Sequence, residues 1–227
     1  MDLKDFYSEL SQLLNNENQP FETLITEMQK ACPAFKYTNN AEQFLSEHGK
    51  EKLLDLYRKS RTWTVVMNKF MLPYIVSEMG YIPQNEYYRI DVIGYTKDNE
   101  NTIEDTGKSL GLKYCTWDLR IAIEHENKRG EWLNELIKLT HINCPIRIVI
   151  GYNRPLKNNE TAEIFEKECI EYFFQCLSSS KSFLSKPYND NPILLLFGQR
   201  DKDENWTSIK YNAYELQLET KSFIKIV

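Results

Sequence analysis

Two short stretches, RIDVIGY (Arg89 to Tyr95) and LRIAIEHENK (Leu119 to Lys128), hold the side chains best suited to chemistry in this chain. In the second, an apolar run ends in Glu124, His125 and Glu126, followed by Asn127 and Lys128. Buried strands more often stop at turn residues such as Gly, Pro, Asn or Asp. Side chains alternate across a strand, so Glu124 and Glu126 are expected on one face, with Ile123 and His125 on the other. Carboxylates held side by side repel and raise one another's pKa unless a cation lies between them. The pair therefore calls for a shared proton or a metal, and Mg²⁺ suits it because that ion takes oxygen ligands and keeps waters for a phosphate substrate. Asp91 is a further acid within an otherwise apolar strand, and beside the first strand it would complete a three-carboxylate cluster.

The elements that must position these acids follow from the hydrophobic period. The first part reads as helical over DLKDFYSELSQLL and PFETLITEMQKA, with a longer helix over NAEQFLSEHGKEKLLDLYRK. A further helix is expected over WTVVMNKFMLPYIVSEMG, kinked or interrupted at Pro73 and ended by Gly80. After Gly80 the order becomes strand-like through YIPQNEYYRIDVIGYT, and DNENTIEDTGKSLGLK reads as an exposed excursion. A strand YCTWDLRIAIEHE, a helix GEWLNELIKLTH and a strand IRIVIGY then form the order of a crossover unit, which implies parallel pairing. A helix from about Glu160 to Leu177 follows, and PILLLFGQ and TSIKYNAYELQL are expected to close the chain as an antiparallel hairpin.

This arrangement resembles the PD-(D/E)XK nuclease superfamily, with its helix, a strand bearing an acid, a strand ending in acid-x-lysine, a helix and another strand. Asp91 in RIDVIGY matches the aspartate of that motif and Glu124 in RIAIEHENK its second acid, while Glu126 stands where the motif has lysine. The similarity covers roughly Trp63 to Tyr152, and its motif is short and degenerate. It implies an α/β core of restriction-endonuclease type, a mixed central sheet flanked by helices; the hydrophobic pattern extends that core over residues 62–227, ending in a β-hairpin, and adds a helical N-terminal extension over residues 1–61. It also implies metal-dependent hydrolysis of phosphodiester bonds, with DNA as partner and room for a homodimer. Asp91, Glu124 and the backbone carbonyl of His125 would hold Mg²⁺ or Mn²⁺, and Glu126 would orient or deprotonate the attacking water. Lys128 would restore the missing positive charge if the strand continues that far. Lys128, Arg129 and Lys138 are close enough in sequence to contact phosphate. The family often adds an acid from its first helix, for which Glu51 and Glu78 both qualify. A non-catalytic descendant of the same fold, acting as an interaction or regulatory module, is the competing reading, favoured by the missing lysine and the acidic charge.

Bulk properties set the frame. At 227 residues, 41% hydrophobic and 27% charged, with 8 Gly and 8 Pro, the chain has the composition of one ordinary globular domain. Its net charge of -5 means that nucleic acid would have to be met by local basic groups, among them Arg58, Lys59 and Arg61. Five cysteines without a CxxC pair fit a reducing, cytoplasmic setting, and the acidic amphipathic N-terminus lacks the form of a signal peptide. Cys169 and Cys176, seven apart on one helix, read as core residues. His125 is not the start of a zinc-binding HExxH, because Arg129 stands four residues on. GYNRPLKNNE lacks the glycine pattern of a phosphate loop, and Trp132, which could stack on a base, has the helical spacing of a buried residue.

Overall fold

The computed structural model describes residues 2–37, 39–96, 118–128, 130–153, 156, 160–179, 191–199 and 208–226. The expected excursion at 98–113, the residues 200–206 between the last two expected strands and Arg129 lie outside the described residues. Helices α1 (Leu3–Leu14), α2 (Phe21–Ala31), α3 (Asn39–His48), α4 (Leu53–Tyr57) and α5 (Ser60–Val66) lead through a π-helical turn, Met67–Met71, into α6 (Leu72–Glu78). Strands β1 (Ile82–Tyr87), β2 (Ile90–Thr96) and β3 (Asp118–His125) follow, then α7 (Trp132–Thr140), β4 (Ile146–Tyr152), α8 (Ala162–Ser179), β5 (Ile193–Gly198), β6 (Tyr211–Gln217) and β7 (Ser222–Lys225).

Among the described residues the strands form one seven-stranded mixed sheet in chain order. β1, β2 and β3 are antiparallel neighbours, β3, β4 and β5 run parallel, and β5, β6 and β7 are antiparallel again. The chain is therefore mixed α/β, and the parallel step from β3 through α7 to β4 is the crossover its sequence implies. The terminal hairpin exists, with KSFIK adding β7 beyond it.

Alternation sorts the sheet residues between two cores. Val92, Ile121, Ile123, Ile148 and Ile150 join residues of α1 to α6 on one side, among them Phe6, Phe21, Trp63 and Phe70. Ile93, Ala122, Val149 and Leu195 join Trp132, Leu136, Ile170 and Phe173 of α7 and α8 on the other. The result is a sheet between two helical layers, with the segment of residues 1–61 sharing a core with one sheet face. No helix among the described residues is long and apolar enough to cross a membrane.

Several expectations are corrected. The long third helix divides at Gly49, whose carbonyl accepts the amide of Glu22 while that of Glu51 accepts the amide of Phe21. A Cβ at Gly49 would lie 2.5 Å from the Leu45 carbonyl oxygen, so the turn has room only for glycine. Pro73 falls at the start of α6, where the preceding π turn has already changed the hydrogen-bond register. Gly80, at φ +82, ends α6: its amide donates to Ser77 and the next amide, Tyr81, to Val76, closing the last turn. The strand-like run after it is a hairpin rather than one strand. Cys169, half-buried, packs against the core as expected, whereas Cys176 is half-buried outside it and Cys32 and Cys144 are buried.

Candidate active site

Asp91 and Glu124 meet because of sheet register. β2 and β3 pair Val92 with Ile123 and Ile93 with Ala122, so one further antiparallel step sets Asp91 against Glu124. Both acids then share the face of Ile93 and Ala122, which α7 and α8 cover. The backbone amide of His125 donates to Asp91 Oδ2 at 2.8 Å, tying the side chain of one strand to the main chain of the next. Glu124 is buried, at 2% exposure.

The cation beside Glu124 comes from α7. Trp132, Leu136 and Leu139 bury one face of that helix against the sheet. Trp132 packs edge-on against Phe197 at 4.9 Å, and a Cβ at Gly151 would lie 2.7 Å from it, so its indole is core and not a free stacking surface. Anchoring that face brings Glu135 and Lys138, one turn apart, to the strand ends. Lys138 Nζ lies 2.7 Å from Glu124 Oε1, forms an ion pair with Glu135 and donates to the Arg89 carbonyl at 2.9 Å. Glu124 Oε1 is thus buried with the Lys138 ammonium as its near neighbour.

Burial pushes the Glu124 carboxyl up to about 8, with Lys138 opposing the rise and Asp91 and Glu135 adding to it. Asp91 is also raised by burial, against the pull of the His125 amide and Lys138. For Lys138, burial acts downward, but Glu124 and Glu135 outweigh it and hold the ammonium above its ordinary value. Two adjacent acids that resist ionisation, beside one committed cation, are an arrangement suited to receiving further positive charge.

Other expected residues take different places. β3 ends at His125, so Glu126 and Lys128 lie in the turn beyond it and Lys128 does not continue the strand face. Glu126 Oε1 accepts the Lys128 amide at 2.6 Å, and Lys128 Nζ reaches back to Glu131 at 3.2 Å. Glu126 still contributes negative charge at Asp91. Arg120 pairs with Asp118 at 3.4 Å, and Arg89 offers the site its carbonyl rather than its guanidinium. Glu51 is held by Lys59 at 2.6 Å and His48 at 2.8 Å, while Glu78 sits near the Cys32 thiol and Tyr74. Lys59 and Arg58 are engaged by Glu51 and Asp55.

The ring of His125 points to the opposite core. Its Nδ1 lies 2.9 Å from Asn68 Oδ1 and its Nε2 2.8 Å from the Tyr152 hydroxyl. Asn68 is an acceptor there, so Nδ1 carries the proton and Tyr152 donates to Nε2. Tyr152 in turn accepts from Trp63 Nε1 at 2.6 Å and contacts the Tyr211 hydroxyl at 2.8 Å. Asn68 reaches this position from the π-helical turn, and its carbonyl also accepts from Asn85 of β1 at 2.8 Å. This buried chain fixes the end of β3 from behind, while the acids face forward.

Among the described residues no group of three or more His, Cys, Asp or Glu side chains is gathered so as to hold a metal ion. No family model matches this chain, and neither a curated protein nor a solved structure shows significant similarity to it.

Proposed function

We propose that this chain is a metal-dependent phosphodiester hydrolase acting on nucleic acid, with DNA the first substrate to try, built on a core of restriction-endonuclease type. One observation carries the reading: Asp91 and Glu124 stand on neighbouring strands and one face, and Glu124 pairs with a lysine delivered by the next helix. The order α6, β2 with its acid, β3 with its acid, α7 and β4 supports it. In this reading Lys138, from α7, supplies the charge that Glu126 cannot.

The residues fit a hard divalent cation in a limited way. Glu124 Oε1 faces Lys138, and Asp91 commits Oδ2 to an amide, which leaves its second oxygen. Two carboxylates, with the His125 carbonyl as a further oxygen ligand, suit Mg²⁺, which keeps several waters, better than an ion needing a complete protein cage. Asp91 and Glu124 would hold it. When bound, such an ion lowers the pKa of a water and offsets charge developing on phosphate oxygens. Lys138 places an ammonium at the acids, oriented by Glu135 and the Arg89 carbonyl, where it steadies negative charge on the attacked phosphate. His125 holds Asp91 through its amide and is itself held by Asn68 and Tyr152.

The ion pairs of Lys138 with Glu124 and Glu135 also favour a second reading, in which the cluster compensates itself and the fold serves as a non-catalytic interaction module. Plasmid and single-stranded DNA incubated with Mg²⁺ or Mn²⁺ distinguish the two. Nicking by the wild type, lost on chelation and in both Asp91→Ala and Glu124→Ala, is the expected result. Identical inactivity of all three proteins refutes the hydrolase.

A further inference from the structure

The hairpin of β1 and β2 turns at an unusual pair of residues. Tyr87 pairs with Ile90, leaving Tyr88 and Arg89 as a two-residue turn with φ 46 and φ 65. Positive φ at both positions gives the twist that joins antiparallel strands well, and Asn-Gly normally fills such a turn because larger L residues crowd their own backbone there. Glu86, at φ 54, adds a third strained position within the same hairpin end. Strain kept at large side chains is a reason to ask what those side chains do.

Both point into solvent. Tyr88 is 82% exposed, with the edge-on ring of Tyr87 at 4.5 Å. Arg89 is exposed and forms no ion pair among the described residues, unlike Arg58 and Arg120. The turn is also fixed to the acids: Lys138 Nζ bonds the Arg89 carbonyl while pairing with Glu124, and Asp91 follows two residues later. An aromatic surface and an uncommitted guanidinium are thus held at the rim of the acidic site.

Resting on the hydrolase reading, we propose that this turn is a nucleic-acid contact in which Tyr88 stacks on an unpaired base and Arg89 meets a neighbouring phosphate. The ligand class is single-stranded or locally unpaired nucleic acid, because the face of a base becomes available to a side chain only once the base leaves its stack. A rigid aromatic in a fixed turn also orders little on binding. The net charge of -5 gives a reason for stacking to carry affinity that electrostatics alone would not supply.

The test is fluorescence anisotropy on the full chain, in Ca²⁺, with a labelled single-stranded oligonucleotide and the same sequence as a blunt duplex. The variants are Tyr88→Ala, Tyr88→Trp, Arg89→Ala and the double change Tyr88→Asn with Arg89→Gly. The wild type is expected to prefer the single strand. Tyr88→Ala should weaken it about five- to 150-fold, and Tyr88→Trp should retain it. Arg89→Ala should reduce the slope of log affinity against log salt by about 0.7. The double change Tyr88→Asn with Arg89→Gly should raise the melting temperature about 2–4 °C while losing affinity, a combination that a merely structural turn would not give. Wild-type affinity in Tyr88→Ala, alongside metal-dependent nicking, overturns this proposal and leaves the hydrolase standing. A protein that neither binds these oligonucleotides nor nicks plasmid with Mn²⁺ overturns both.

Discussion

Replacing Glu124 with Gln asks directly whether the site is electrostatically frustrated. The carboxyl is pushed from its ordinary 4.5 to about 8, chiefly by burial. At about 1.4 kcal/mol per tenfold change, that displacement sets a ceiling of about 5 kcal/mol on the unfavourable ionisation. Partial hydration of the neighbouring Lys138 and Glu135 brings the expected effect to about 1–3 kcal/mol. The folded chain holds this proton to about 8 and the unfolded chain only to about 4.5, so the folded state binds more protons in between. Stability contributed by the group is full below 4.5 and is lost as pH rises through 8. Glu166 and Asp91, both raised by burial, slope the same way, so the comparison with Glu124→Gln isolates Glu124. Urea denaturation from pH 5 to 8.5 should show the wild type losing stability more steeply than the variant, and the variant ahead by about 1–3 kcal/mol at the upper end. Mn²⁺ at pH 7 should stabilise the wild type and not the variant. Parallel pH profiles for the two proteins would refute the reasoning.

Other perturbations read other parts of the structure. Lys138→Met removes the ammonium from Glu124 and Glu135 and should cost about 1–2 kcal/mol and abolish nicking, whereas Lys128→Ala, out in the turn, should stay within about 0.5 kcal/mol of wild type in urea melts. Tyr152→Phe deletes the hydroxyl shared by His125, Trp63 and Tyr211, and denaturation should register a loss of about 1–3 kcal/mol. Gly94→Ala would set a Cβ 2.3 Å from Ile121 and 2.7 Å from Val76, so a loss of about 1–3 kcal/mol in thermal melts is expected from forcing α6 off the sheet.

The acid pair was legible because strand alternation is a strict rule, and Asp91 and Glu124 each interrupt a β-branched run that otherwise has one reading. The crossover from β3 to β4 was legible for the same reason, since Trp132 and Leu136 carry a helical period between two apolar strands. Lys138 was visible only as a charge near the motif. Its place beside Glu124 depends on how α7 lies across the sheet, and the spacing of Glu135 and Lys138 on one helix side was the signal available. The hairpin between β1 and β2 left no signature, because Tyr88 and Arg89 replace the small residues that announce such turns. Gly49 was visible, but the apolar period ran through it, and the strand-like pairing of Pro20 with Lys52 that needs the break is a tertiary contact. The chain of Trp63, His125, Tyr152 and Tyr211 joins residues up to 148 positions apart, and nothing local distinguishes those aromatics from ordinary core.

The grip on Asp91 is made by a peptide amide, which every amino acid except proline possesses. Substitution at position 125 can therefore alter the imidazole's own contacts without erasing the tether. The separation of the two acids is consequently a property of strand alignment, set by the backbone rather than by the identity of the side chains around it.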